Sequence, residues 1–184
     1  SEMCIRDSLE DTPSLRATVS EAKCFRAQSY FLLYRTFDRI WLNIQPTTAE
    51  NVNDPRDFHA ASEKEVFDLI YEDLEYAITN LDWVSDEAGR FTQAAARHMK
   101  AKAALWLKDW DTTLEQVEEI EKSGHFDLIA LNEVFNAGDL NHKEALMVQQ
   151  WSKNPGGNLS NATPKGNYYA AYFIAQYRTE IGGT

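Results

Sequence analysis

The stretch from Gly89 to Leu128, GRFTQAAARHMKAKAALWLKDWDTTLEQVEEIEKSGHFDL, constrains the fold more than any other part of the chain. Thr92 offers a hydroxyl N-cap, and Gln93, Ala94 and Ala95 behind it are strong helix formers, so a helix begins there and carries Arg97, Lys100, Lys102 and Lys108. Ala95, Met99, Ala103, Trp106 and Trp110 recur at helical spacing, while Ala94, Ala101, Ala104 and Leu105 cover a neighbouring stripe. Two small or apolar faces require two packing neighbours. Asp109, Trp110 and Asp111 break the pattern. Leu114, Val117 and Ile120 then open a second amphipathic helix that should stop at Ser123 and Gly124, where glycine takes the left-handed conformation past a helix end. The result is a helical hairpin. Small residues that let backbones approach, with an aromatic turn to lock the crossing, suit a tetratricopeptide-like unit; the spacing alone suits an ordinary antiparallel helix pair equally well.

Upstream, Thr12 can cap a helix with Pro13 at its first position, and the apolar pattern runs from Leu15 through Phe25, Leu33 and Phe37 to Ile40 and Trp41. Its second half, Tyr30 to Phe37, is apolar nearly all round and is expected to lie buried between helices. The segment from Asn43 to Asp57 holds two prolines and three asparagines without periodicity, so a long loop is predicted, of the kind that carries binding residues. Ser62 and Glu65 form a capping box. Behind it Val66, Ile70, Leu74, Ala77, Ile78 and Leu81 make one apolar stripe opposite Asp68, Glu72, Glu75 and Thr79. The acidic residues of this helix, Asp73 among them, read as dipole-favoured or solvated rather than as a catalytic or metal site. Trp83 falls in the next connection, where it could stack on a sugar or plug the end of a helix pair; Asp82, Asp86 and Glu87 beside it lack the spacing of an EF-hand loop.

After Gly124 the pattern becomes mixed. HFDLI is short and β-favouring, LNEVF can form one helical turn, and Ala145 to Trp151 reads as a strand. SKNPGGNLSNATPKGN is a long loop by composition. Tyr169, Tyr172, Phe173, Gln176 and Tyr177 recur at helical spacing and suggest a short terminal helix.

The formal net charge of -11 over 184 residues gives no basic field for nucleic acid phosphates. Cys4 and Cys24 form no metal or redox motif, so Cys24 reads as a free buried thiol. No run approaches a membrane span, and no signal-peptide pattern opens the chain. His59, His98, His125 and His142 are scattered in sequence, and nucleophile, dinucleotide and phosphate-loop motifs are missing. His98 is expected to face solvent. No motif demands an enzyme, a cofactor or a metal.

Three segments taken in order, RAQSYFLLYRTF from Arg26, EVFDLIYEDLEYAITNL from Glu65 and the Gly89 to Leu128 hairpin, resemble the RagB/SusD family of outer-membrane nutrient-binding lipoproteins over roughly Glu21 to Trp151. The resemblance implies a mostly α fold of tetratricopeptide-like hairpins with a small mixed, loop-rich C-terminal portion. It also implies non-catalytic capture of an oligosaccharide or similar nutrient at the cell surface, and delivery to a TonB-dependent outer-membrane transporter of the SusC type. Family members are several times longer, which suggests an internal fragment lacking the signal peptide and lipidated cysteine. The opening SEMCIRDS resembles a non-native leader, giving the expected division 1–8, 9–128 for the helical region and 129–184 for the loop-rich portion. Ligand residues vary within the family, so candidates come from loop composition: Trp41 and Asn43, Trp83, and Asn154, Asn158, Tyr168 and Tyr169. A helical-repeat adaptor that binds a protein segment, with no glycan involved, is the alternative.

Overall fold

The computed structural model describes residues 11–37, 39–55, 58–134 and 141–148. The chain divides between Met147 and Val148, and the architecture below is that of the first part. Its order is α1 (Pro13–Phe37), α2 (Glu63–Asn80), α3 (Gln93–Leu107), α4 (Trp110–Lys122) and the single turn α5 (Leu131–Val134). α1 packs on α2, α2 on α3 and α3 on α4, and α1 also touches α3, as stacked helical hairpins do.

Each start follows from its cap. The Thr12 hydroxyl accepts from the Leu15 N–H at 3.2 Å ahead of Pro13. Ser62 and Glu65 form both halves of the capping box, the Glu65 carboxylate accepting from the Ser62 N–H at 2.8 Å and the Ser62 hydroxyl from the Glu65 N–H at 3.3 Å. Glu65 titrates below the usual carboxylate range, first because the Ser62 side chain donates to it and then because of the Ser62 backbone. The Thr92 hydroxyl accepts from Ala95 N–H at 3.3 Å and Asp109 from Thr112 N–H at 3.2 Å, so hairpin α3–α4 stands as the sequence predicts. Val66, Ile70, Leu74 and Ala77 of α2 are buried, as are Ala94 to Ala96, Ala101, Ala103 and Ala104 of α3. The alanines let α3 sit close between α2 and α4.

Five expectations are corrected. The first helix ends at Phe37, not Trp41: Ile40 is buried and its carbonyl accepts from the Ala61 N–H at 2.8 Å, a tertiary pairing that prevails over another helical turn. The Tyr30 to Phe37 segment is not covered all round; Leu32, Leu33 and Phe37 are exposed while Tyr30, Phe31 and Tyr34 pack on the core. Asp73 is not solvated but fully buried. Trp106 and Trp110 do not lock the hairpin, both being about half exposed, and Trp110 belongs to the first turn of α4. Finally, no residue of 125–130 or 145–148 is in a strand; the rest of that expected strand, the long loop and the terminal helix lie outside the described residues.

The reversal from α3 to α4 is made by backbone. Lys108 adopts φ 62 and ψ 24, its N–H bonds the Leu105 carbonyl at 3.1 Å and the Asp109 N–H bonds that of Ala104 at 3.0 Å, the paired bonds of a Schellman ending. A side chain in this left-handed conformation costs about 1 kcal/mol that glycine avoids. Lys108→Gly should therefore stabilise the protein by about 0.5–1 kcal/mol, read as a higher urea midpoint with unchanged slope; a lower midpoint would contradict this turn geometry. Gly124 at φ 69 closes α4 as expected.

Candidate functional site

The α1–α2 connection is a loop pinned at its base. The Ile40–Ala61 bond closes it, and above that bond the rings of Trp41 and Phe58 meet at 4.8 Å and 57°. Phe58 is 70% exposed and Trp41 half-buried, so the pair presents aromatic surface to solvent. Within the loop the Asn51 carboxamide oxygen accepts from Thr48 N–H at 2.7 Å, its amide donates to the Pro46 carbonyl at 3.0 Å, and its own N–H reaches the Thr48 hydroxyl at 3.3 Å. These bonds fold the loop back on itself. A cavity of about 330 Å³ results, with Trp41, Asn43, Gln45, Asn51 and Asp54 in its lining. Carboxamides, a carboxylate and an aromatic ring around a shallow cavity can hold a polar molecule with apolar faces, without covalent chemistry.

Trp41 and Asn43 are thus brought together. Trp83 stands at the other end of α2, a helix of 18 residues and so about 27 Å long. The Arg97 guanidinium lies 5.3 Å from the Trp83 ring centre, His125 stacks at 6.3 Å and 29°, and Arg97 donates to the Gln116 side-chain oxygen at 2.9 Å. Its ring is engaged in tying the loop to the α3–α4 hairpin. Asn154, Asn158, Tyr168 and Tyr169 lie outside the described residues. Composition missed two participants. Phe58 is an aromatic beside a polar proline-containing loop, a signal available in the sequence; Tyr30 read as core, and its ring does pack there, yet its hydroxyl bonds Asn43.

A second cleft, of about 410 Å³, opens near Trp83, with Glu21, Asp82, Asp86 and Arg90 in its lining. Arg90 is spent on Glu21, at 2.7 and 2.9 Å, and on Glu87 at 3.2 Å, bonds that staple this loop to α1. Among the described residues no group of three His, Cys, Asp or Glu is arranged to hold a metal ion. His98 lies exposed on α3 as expected, its pKa lowered first by partial burial and then by Lys102.

Beneath the loop, α1 is fastened to α2 along one face. Asp73 accepts from Lys23 at 2.7 Å and from Arg26 at 2.6 and 2.7 Å. That bond raises the Arg26 pKa above its ordinary value. One turn on, Tyr30 bonds Asn43; a turn further, the Tyr34 hydroxyl donates to Glu63 at 2.8 Å. Cys24, buried beside this row, is a free thiol.

No family model matches the chain. It is 28% identical over 145 residues to a SusD-like protein of Bacteroides ovatus, spanning 72% of this chain and 26% of that relative. Among solved structures it resembles a SusD-like protein of Bacteroides fragilis, at 25% identity and a TM-score of 0.69 over 82% of this chain and 30% of that one. It also resembles a laminarin-binding SusD-like protein, at 25% identity and a TM-score of 0.57 over 68% of this chain and 27% of that one. The chain therefore spans less than a third of the length of these proteins. With the helix order, the caps and the hairpin all in place, the chain is similar in both sequence and fold to SusD-like proteins.

Proposed function

We propose that this chain is part of a non-catalytic glycan-binding protein of the bacterial cell surface, anchored at the outer membrane and handing its oligosaccharide to a TonB-dependent transporter of the SusC type. One observation carries the reading: an exposed aromatic pair, Trp41 and Phe58, beside a cavity lined by carboxamides, held on a rigid helical scaffold. Pyranose rings present C–H faces that stack on such rings and hydroxyls that pair with amide and carboxylate groups such as Asn43, Gln45 and Asp54. The laminarin-binding relative supports the same ligand class. The scaffold also accounts for the role, since a site on a pinned loop binds with less ordering cost than one on a free chain. Trp83, Asn154, Asn158, Tyr168 and Tyr169 remain proposed contacts for parts of a longer ligand.

The test is a glycan array that includes laminarin, followed by calorimetric titration of the best ligand. Trp41→Ala should weaken binding at least tenfold, about 1.4 kcal/mol, without moving the thermal midpoint. Equal affinity in the variant would remove Trp41 from the site. A second reading, a helical-repeat adaptor for a protein segment, is favoured by the exposure of Leu105, Trp106, Trp110 and Leu114 on the hairpin. It would stand if no saccharide binds while the transporter barrel or a peptide co-purifies.

A further inference from the structure

We infer that Tyr30 is a positioning residue for the loop cavity, acting through its hydroxyl on the backbone of Asn43; this rests on the glycan-binding reading of that cavity. The ring of Tyr30 is packed against the helical core, so its hydroxyl projects from a fixed base. That oxygen accepts the Asn43 N–H at 2.9 Å and donates to the Asn43 carbonyl at 3.2 Å. One side chain thereby engages both polar backbone groups of a single cavity-lining residue and restrains its backbone dihedrals.

The arrangement is supported from both sides along α1. Arg26, four residues earlier, is clamped to the buried Asp73, and Tyr34, four residues later, is bonded to Glu63. Residues four apart share a helix face, so three successive turns of α1 are fixed against α2 and the loop. Tyr30 is the member of the row that reaches the cavity. The loop's base is held by the Ile40–Ala61 bond and its tip by Asn51, with Tyr30 holding the arm between them, on which Trp41 and Asn43 sit. Releasing Asn43 would leave this arm to be ordered by the ligand, and the lost order appears as lost affinity.

Asn43 is exposed, so water can replace the hydroxyl and Tyr30→Phe should fold normally. The experiment combines hydrogen exchange with calorimetry. In Tyr30→Phe the Asn43 amide should exchange at least tenfold faster, amides of α1 and α2 should keep their protection, and affinity for the array-selected glycan, laminarin oligosaccharide if it is bound, should fall five- to tenfold. A merely structural role would instead lower protection throughout α1 and α2. Unchanged exchange at Asn43, or faster exchange with unchanged affinity, overturns the inference. If the unsubstituted protein binds no saccharide, the glycan reading falls on its own, and the exchange rates still decide whether Tyr30 holds the loop.

Discussion

Alanine at Arg26 should destabilise the protein by about 3–5 kcal/mol, more than alanine at Asp73, with which it pairs. The asymmetry follows from burial. The Asp73 side chain is 0% exposed, whereas Lys23 and Arg26 retain 20% and 35%. Removing Arg26 takes away two of the three side-chain hydrogen bonds that the carboxylate accepts and leaves a buried charge facing Lys23 alone. Removing Asp73 leaves two cations that swing toward water, so the loss is nearer about 2–3 kcal/mol. Because a domain of this size is stable by only about 5–15 kcal/mol, Arg26→Ala should bring the chain close to unfolding at ambient temperature. Arg26→Lys should fall between the unsubstituted protein and Arg26→Ala, since an ammonium keeps the charge but cannot make the paired contact of a guanidinium. Replacing the trio by Lys23→Met, Arg26→Met and Asp73→Leu together should recover much of the loss, as buried ion pairs often yield to apolar residues of similar volume. Urea unfolding followed by far-ultraviolet circular dichroism measures all of these. Equal losses below about 1 kcal/mol for Arg26→Ala and Asp73→Ala, the range of exposed pairs, would show that water reaches the carboxylate.

That cluster also shows where sequence reasoning stops. The helix starts were legible because a cap is a local contract: Ser62 with Glu65, Thr92 before its alanines and Thr12 before Pro13 need only their own neighbours. The stripe Val66, Ile70, Leu74 and Ala77 was legible for the same reason. Asp73 was misjudged because most carboxylates on an acidic helix are solvated, although it falls on that stripe, three residues after Ile70 and next to Leu74. A charge at a core position requires a partner from elsewhere, and Lys23 with Arg26 lie some fifty residues away. The end of α1 was misplaced by the same kind of cause, for nothing between Phe37 and Trp41 breaks a helix and Ala61 does.

The candidate site divides along the same line. Composition found the loop and its tryptophan, because prolines and asparagines without periodicity have no regular structure to adopt. It could not find the closure, which depends on Tyr30 reaching Asn43 and Trp41 meeting Phe58, contacts between residues far apart in sequence. Trp83 looked equivalent to Trp41 by composition. It differs in that Arg97 and His125 lie against its ring.

Cys24 should resist thiol reagents in the folded protein by a factor of about 10³ relative to the unfolded chain. Burial first, then the charges of Asp73 and Glu21, push its pKa from 9.0 up to about 12. Only thiolate reacts, so at pH 8 the reactive fraction falls by about three orders of magnitude before any loss of access is counted. A Cys4→Ser background isolates the residue, with rates measured natively and in guanidinium chloride. The same shift links stability to pH. The folded state favours the neutral thiol, so the contribution is fully present below about 9 and is lost as pH rises from there through about 12. The unfolding free energy of the Cys24 protein should therefore decline more steeply above that lower value than that of Cys24→Ala, by up to about 1.4 kcal/mol per pH unit. Parallel curves for the two proteins, or native reactivity within tenfold of the unfolded rate, would mean that α1 does not seal this thiol against α2, and that the clasp made by Asp73 is open to solvent.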